Sequence, residues 1–198
     1  MTSTQWVFAP AKSYYSNKIY IPDIFKILSN TILTTIGLIS DTHYFLDKKV
    51  FTHFAGCDEI WHAGDFGNID IADSIATGTG KTLKGVSGNI DGMDVRIRYP
   101  EQLHFLCEDV QVFIKHIGGY PGKYAPGIKN EIIKNKPGLF ICGHSHILKI
   151  MYDDKLGCLH INPGAAGKQG WHSVRTIIKF VIDGNNIRDC KVIELGDR

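Results

Sequence analysis

The sequence predicts an α/β fold in which two packed β-sheets carry helices on their outer sides. Strand-like and helical segments alternate as β-α-β-α-β from Thr34 to about residue 89, which is typical of a parallel sheet with right-handed crossovers. Beyond that point strand-like segments dominate, with one amphipathic helix among them. The 198 residues are enough for one domain with its own apolar core.

The spacing of apolar residues predicts the elements of the first half. Strands are predicted at TIGLIS, EIWHAGD and TLKGVSGN. The segments between them, DKKVFTHFAG and NIDIADSIATG, have helical spacing and are expected to end at Gly56 and Gly78. The three strands would then lie parallel in one sheet.

The second half is predicted to be mostly strands. RIRYPEQLHFLCEDVQVFIKH reads as two strands joined by a tight turn near Glu108 and Asp109, and GIKNEIIKNKPG as an amphipathic helix. Further strands are predicted at GLFICGH, LKIMYDD, CLHINPG, RTIIKFVID and NIRDCKVIEL, with DGNN as a hairpin turn before the last one. Residues 1–30 are polar and aperiodic for most of their length. We interpret them as a loosely ordered N-terminal extension to a single domain at 31–198.

Composition excludes several classes of protein. The apolar fraction of 43% and charged fraction of 21% are typical of a soluble globular chain, and no apolar run reaches the ~18 residues of a membrane span. The net charge of +2 and the lack of a long basic run indicate no dedicated nucleic-acid surface. Five scattered cysteines are typical of free thiols in a reducing compartment, and the N-terminus lacks a signal-peptide pattern. A cytoplasmic location is therefore expected.

Metal-binding side chains follow five of the predicted strands. The carboxyl ends of strands in an open α/β sheet are where ligands bind, so these side chains are expected to meet at one edge. Extended residues two apart point to the same side, and glycines at 64, 88 and 143 are expected to allow tight turns before the ligands. The candidate residues, in chain order, are Asp41, His43, Asp65, Asn89, Asp91, His116, His144 and His146.

The chemistry of this set indicates a pair of metal ions. Carboxylate, imidazole and amide ligands together suit Mn²⁺, Fe²⁺, Zn²⁺ or Ni²⁺, and the candidates are too many for one ion. Two divalent ions outweigh the charges of Asp41, Asp65 and a bridging hydroxide, so the centre would attract an anion. Phosphate esters are the expected substrate class.

The ordered motifs D-x-H, GD, GN-x-D, H and GHxH resemble those of the calcineurin-like metallophosphoesterases. Here they read DTH, GD, GNID, KHIGG and GHSH, and the resemblance extends from about Thr34 to Arg198. The chain is most similar to the small single-domain phosphodiesterase branch, because INPGAA follows the last histidines and there is no cap domain. The resemblance implies a four-layer αββα sandwich of two mixed sheets. It also implies a phosphodiesterase that uses a metal-bridging hydroxide for in-line attack on phosphorus.

The resemblance also implies a role for each residue. His144 would stabilise charge on the phosphoryl oxygens together with the metals, and Asp91 would orient a ligand histidine. The catalytic set is thus His144, Asp65, Asn89 and Asp91. Asp41, His43 and His146 would hold one metal, Asn89, His116 and His144 the other, and Asp65 would bridge them. The cofactors would be two divalent ions, with Mn²⁺ preferred and Fe, Zn or Ni as alternatives. Many relatives have histidine where this chain has Ile90, which leaves the proton donor to the leaving group open.

Other readings of the sequence remain open. A scaffold of the same fold, such as the eukaryotic retromer subunit, would bind proteins without catalysis, and the same centre could hydrolyse phosphomonoesters. His62 and His160 are alternative candidates for orienting ligands. Lys168, His172 and Arg175 are candidates for neutralising phosphate or donating a proton, or else are ordinary loop charges. The expected partner is a small phosphate ester rather than a membrane, and assembly into a homo-oligomer is left open.

Overall fold

The computed structural model describes residues 33–198. The predicted extension at 1–30 lies outside the described residues. The helices are α1 (Lys49–Phe54), α2 (Ile69–Thr79), α3 (Met93–Arg98) and α4 (Ile128–Asn135). The strands are β1 (Leu33–Ile39), β2 (Glu59–His62), β3 (Thr82–Gly85), β4 (Gln102–Cys107), β5 (Val110–Lys115), β6 (Gly119–Tyr120), β7 (Lys123–Tyr124), β8 (Leu139–Ile141), β9 (Lys149–Asp153), β10 (Cys158–Asn162), β11 (Val174–Asp183) and β12 (Asn186–Asp197).

The strands form two five-stranded mixed sheets and one small hairpin. The first sheet has the order β12-β11-β1-β2-β3, in which β1, β2 and β3 are parallel and β11 and β12 are antiparallel to their neighbours. The second sheet has the order β4-β5-β8-β10-β9, with β5, β8 and β10 parallel. The hairpin pairs β6 with β7. The predicted parallel start of the domain is confirmed.

Three apolar clusters show how the layers pack. The largest lies between the two sheets and includes Leu38 of β1, Ile141 of β8 and Phe180 of β11. A second cluster joins the outer face of the first sheet to α1, α2 and α3. A third joins the outer face of the second sheet to α4. The arrangement is the four-layer αββα sandwich expected from the sequence.

Two boundary predictions were wrong. RIRY was expected to begin a strand, but Met93–Arg98 is helical because Val95 and Tyr99, four residues apart, both pack into the second cluster. Helix α2 was expected to end at Gly78, yet it continues to Thr79. Gly80 then closes it in the left-handed conformation at φ 65°, and its N–H donates to the carbonyl of Ala76.

The topology brings five chain segments to one end of the molecule. Strands β1, β2 and β3 end next to one another in the first sheet, and β5 and β8 do so in the second. The segments that follow these strands carry all the predicted metal ligands. Within residues 33–198, every helix is too short or too polar to cross a membrane.

Candidate metal centre

The first ligand group consists of Asp41, His43 and His146. Nε2 of His146 lies 3.2 Å from Oδ1 of Asp41 and 3.1 Å from Nε2 of His43. Nε2 of His43 lies 3.8 Å from the same Asp41 oxygen. One oxygen and two ring nitrogens therefore point at a common centre.

The second ligand group consists of Asp65, His116 and His144. Nε2 of His116 lies 3.2 Å from Oδ2 of Asp65. The side-chain oxygen of Asn89 lies 3.1 Å from the same ring nitrogen, so Asn89 joins this group. His144 is its exposed member, whereas Asp65 and His116 are buried.

Asp65 lies between the two groups. Its Oδ2 is 3.5 Å from Nε2 of His43 in the first group and 3.2 Å from Nε2 of His116 in the second. Its Oδ1 is held by the N–H of Ile90 at 3.0 Å. The carboxylate thus keeps one oxygen fixed by the backbone and presents the other to both groups.

The donor sets fit divalent metal ions. Two ligands that each lie ~2.1 Å from an ion are ~3.0–3.4 Å apart, which matches the shortest separations within each group. Asp41 is fully buried and Asp65 is 2% exposed. In residues 33–198, the basic groups within 4.0 Å of these two carboxylates are histidines alone. A cation bound between these two buried carboxylates, which lack a lysine or arginine partner, would offset their desolvation.

The backbone at five of the seven candidate ligands is left-handed, not extended. Asp41, His43, His144 and His146 have φ values of 52°, 47°, 67° and 56°, and Asp65 has 59°. The prediction that extended residues two apart point to the same side was therefore wrong for these pairs, although Asp41 and His43 do reach the same centre. His144 and His146 go to different groups, as the family resemblance implied. Non-glycine residues in this conformation are uncommon, and such strain clusters at functional sites.

Close packing, more than turn geometry, explains the neighbouring glycines. A Cβ at Gly88 would lie 2.0 Å from Oδ1 of Asp65, and one at Gly143 would lie 2.1 Å from Oγ of Ser40. Of the three glycines named from the sequence, Gly64 alone has a positive φ, 99°. The expectation of tight turns therefore holds at Gly64. The other two leave room for the ligand loops to pack against each other.

Comparison with known proteins identifies the family. The model of the calcineurin-like phosphoesterase superfamily domain matches residues 35–185. A probable metallophosphoesterase of Methanocaldococcus jannaschii is 32% identical over 148 residues, which are 71% of each chain. The chain belongs to the calcineurin-like phosphoesterase superfamily.

Solved structures share the fold of this calcineurin-like domain. The structure of an archaeal phosphodiesterase has a TM-score of 0.63 at 22% identity, and covers 81% of this chain and 99% of that one. Vps29 of Entamoeba histolytica in complex with zinc has a TM-score of 0.61 at 14% identity, and covers 81% of this chain and 98% of that one. At these identities the likeness shows the fold.

Burial and hydrogen bonding set the charges in the calcineurin-like centre. Burial is the largest single influence and opposes the charge on both His116 and Asp65. Their mutual hydrogen bond, the Coulomb attraction between the histidines and the carboxylates and backbone hydrogen bonds together exceed it, so the pKa of His116 is raised and that of Asp65 is lowered. Burial lowers the pKa of His43 despite the nearby carboxylates. Nδ1–H of His116 donates to the carbonyl of Ala63 at 2.8 Å, which leaves Nε2 to face the centre.

Asp91 has a different role from the one expected. Its Oδ2 accepts the N–H groups of Asp65 at 3.1 Å and Gly88 at 2.7 Å, and its Oδ1 accepts the N–H of Gly67 at 2.8 Å. The prediction that it orients a histidine was wrong, because both of its oxygens are engaged by backbone. Asp91 therefore joins the loop of Asp65 to the loop of Asn89.

His62 orients the same loops through the backbone. The N–H of Gly64 donates to its Nδ1 at 3.1 Å, so its Nε2–H donates to the Thr42 hydroxyl, also at 3.1 Å. That hydroxyl donates in turn to the carbonyl of Phe66 at 3.1 Å. Burial holds the pKa of His62 well below its ordinary value, so the ring is neutral.

Sequence reasoning missed two further supports of the ligands. The Ser40 hydroxyl donates to Oδ2 of Asp41 at 2.6 Å. The Asn162 side-chain amide donates to the Gly143 carbonyl at 2.8 Å and to the Ser145 hydroxyl at 3.1 Å, and so holds the loop of the last two histidines. Asn162 could have been found from its position in the sequence, because it ends β10, a predicted strand that lies beside β8.

The three loop cations proposed from the sequence separate into different roles. Arg175 is buried and bonded to Asp47 and to the carbonyls of Leu195 and Asp197, so it is structural. The His172 ring packs against that of His146 at a centroid distance of 5.3 Å. The Lys168 ammonium lies 4.7 Å from the centroid of an aromatic ring, that of Phe45. Of the three, His172 alone contacts a ligand of the centre.

Proposed function

We propose that the protein is a dinuclear metal-dependent phosphodiesterase. The observation that carries the proposal is the position of Asp65, whose Oδ2 lies within 3.5 Å of a ring nitrogen from each ligand group. A carboxylate placed in this way suits a ligand shared by two ions. Sequence similarity to a probable metallophosphoesterase supports hydrolysis of phosphate esters. The shared fold of an archaeal phosphodiesterase is consistent with a diester substrate.

The residues of the chain would divide the work. Two divalent ions, when bound, supply an activated water as nucleophile and neutralise charge on the phosphoryl group. Asp41 and Asp65 would hold the ions in a fixed geometry, because backbone N–H groups and the Ser40 hydroxyl orient their carboxylates. His144 is exposed, so its ring can contact a phosphoryl oxygen of the substrate. The side chain of Ile90 cannot donate a proton to the leaving group. Substrates with good leaving groups, which need no proton donor, are therefore expected.

Hydrolysis and metal content test the proposal together. With Mn²⁺ added, the wild-type chain should hydrolyse bis(para-nitrophenyl) phosphate and bind two ions. The nearly isosteric change Asp65→Asn removes the shared negative charge and should abolish activity and lower the number of bound ions. Asp70→Asn is a matched control, because Asp70 lies in the first turn of α2, outside both ligand groups.

The same measurements separate the rival functions. A wild-type protein that binds no metal and hydrolyses no ester would overturn the proposal in favour of a scaffold. Faster hydrolysis of para-nitrophenyl phosphate than of the diester would indicate a phosphomonoesterase. Full activity of Asp65→Asn would show that the bridging role is wrong.

A further inference from the structure

A cavity opens beside the second ligand group. Its volume is about 180 Å³. A cavity needs only about 10–15 Å³ of such space to hold one water molecule, so this one has room for part of a small ligand. The residues that line it include Asn89, Arg96, Glu101, Lys115, His116 and Ile117, and we call it the side cavity. Because two ligands of the second group, Asn89 and His116, form part of its wall, the side cavity adjoins that group.

Two cations line the side cavity, and the first of them, Arg96, is held in place. Nε–H of Arg96 donates to the carbonyl of Asp91 at 2.8 Å, and Nη2–H donates to that of Gly88 at 2.7 Å. An arginine has five N–H donors. Three of them therefore have no acceptor in the part of the chain that the structure describes. Arg96 is thus fixed to the loop of the second ligand group while it keeps donors for another acceptor.

Lys115 is the second cation of the side cavity. Its ammonium donates to the side-chain oxygen of Gln102 at 3.3 Å and lies 4.0 Å from a carboxylate oxygen of Glu101. Glu101 is 77% exposed, so this ion pair is largely solvated and offsets little of the lysine charge. The lining therefore carries two cations against one weakly paired carboxylate.

The shape and charge of the side cavity indicate what it binds. A phosphoryl group held between the two ligand groups has an ester arm, and the side cavity gives that arm space for only a few atoms. Ile117, which is 41% exposed, offers one apolar contact, whereas Arg96 and Lys115 offer positive charge. A short aliphatic arm with an anionic end fits this combination better than a neutral or cationic arm.

We propose that the side cavity selects phosphate esters whose arm ends in an anionic group such as a carboxylate. The proposal rests on the proposed function for the placement of the phosphoryl group. Lys115 and Arg96 would supply this substrate specificity. Because neither residue is a ligand of the centre, the specificity is separate from metal binding. Lys115 is the better residue to change, because Arg96 also holds the loop of Asn89.

Calorimetric titration of the Mn²⁺-loaded protein tests this with two phosphonates. Phosphonopropionate ends in a carboxylate, and propylphosphonate ends in a methyl group. We expect phosphonopropionate to bind about fivefold more tightly, the size of one partly solvated charge interaction. Lys115→Gln should remove most of this preference, and Glu101→Gln should increase it. Lys84→Gln is the control, because Lys84 is also a salt-bridged strand lysine but pairs with Glu59 outside the side cavity.

The outcomes distinguish this proposal from the proposed function. Equal affinities for the two phosphonates, or a preference that Lys115→Gln leaves unchanged, would overturn the specificity of the side cavity. Because each preference is a ratio measured within one variant, a change in metal occupancy cancels. Hydrolysis of bis(para-nitrophenyl) phosphate is measured in parallel. A protein that keeps the Lys115-dependent preference without hydrolysis would refute the phosphodiesterase but support the anion-binding cavity.

Discussion

The replacement of Asp91 by alanine should destabilise the fold more than any other single change at the loops of the centre. Asp91 is 4% exposed and accepts three backbone N–H groups at 2.7–3.1 Å. Each hydrogen bond to a charged acceptor contributes about 1.5–3 kcal/mol, and a buried donor left unpaired costs about as much. The simple sum is an upper bound, because the loops can relax and admit water. We therefore expect Asp91→Ala to lower the free energy of unfolding by about 4–5 kcal/mol.

Asparagine at the same position should cost less. If its amide oxygen takes the place of Oδ2, it still accepts the N–H groups of Asp65 and Gly88, but its NH₂ then faces the N–H of Gly67. One lost bond and one donor facing another donor correspond to about 2 kcal/mol. Asp94→Ala is a matched control, because Asp94 accepts a single exposed N–H, that of Ile69 at 3.0 Å. Its loss should cost less than about 1 kcal/mol.

Urea denaturation of the metal-free proteins measures these differences. The fluorescence of Trp61, which is fully buried in the cluster between the sheets, reports unfolding. Metal affinity, measured separately, should fall about 10- to 100-fold in Asp91→Ala because the loops of Asp65 and Asn89 lose their common anchor. A midpoint equal to that of Asp94→Ala, together with lost metal binding, would refute this reasoning.

Three further predictions concern packing, pH and metal. Gly88→Ala should lose metal binding and about 1–3 kcal/mol of stability, because its Cβ would lie 2.3 Å from the backbone nitrogen of Asp65. Gly138→Ala is the control and should change little, because its Cβ would meet no atom nearer than 3.4 Å. Thermal denaturation compares the two variants. Burial lowers the pKa of His160 to about 4, so this histidine binds a proton more tightly in the unfolded chain than in the folded one. The free energy of unfolding should therefore fall by about 3 kcal/mol as the pH drops from about 6.5 to about 4. His160→Phe should remove that part of the pH dependence of the urea midpoint. Each Mn²⁺ site held at 100 times its dissociation constant should add about 2.7 kcal/mol of stability, and a chelator should reverse the resulting rise in Tm. No change in Tm with Mn²⁺ would contradict a native-state site.

The ligand set illustrates what sequence order can predict. Strands that run parallel in a sheet end at one edge, so residues that follow such strands share a place whatever their separation in the chain. This rule places Asp41, Asp65 and Asn89 together in the first sheet, and His116 and His144 together in the second, whereas the packing of the two sheets brings the two sets to one centre. The alternation of strands and helices predicted the parallel order of β1, β2 and β3. Periodicity was less reliable for α3, where Met93 and Ile97 are exposed and the two residues that pack inward are four apart.

The sequence by itself determined the sandwich fold, the family motifs and the residues of the two ligand groups, because each depends on order and spacing along the chain. The tertiary structure alone decided the roles of Asp91 and Asn162, the left-handed backbone at Asp41 and His144, and the charges around the side cavity. Each of these depends on which distant backbone or side-chain atoms meet at a particular distance. Such distances depend on how the loops pack. Loop sequences have no periodic pattern of apolar residues from which that packing could be predicted.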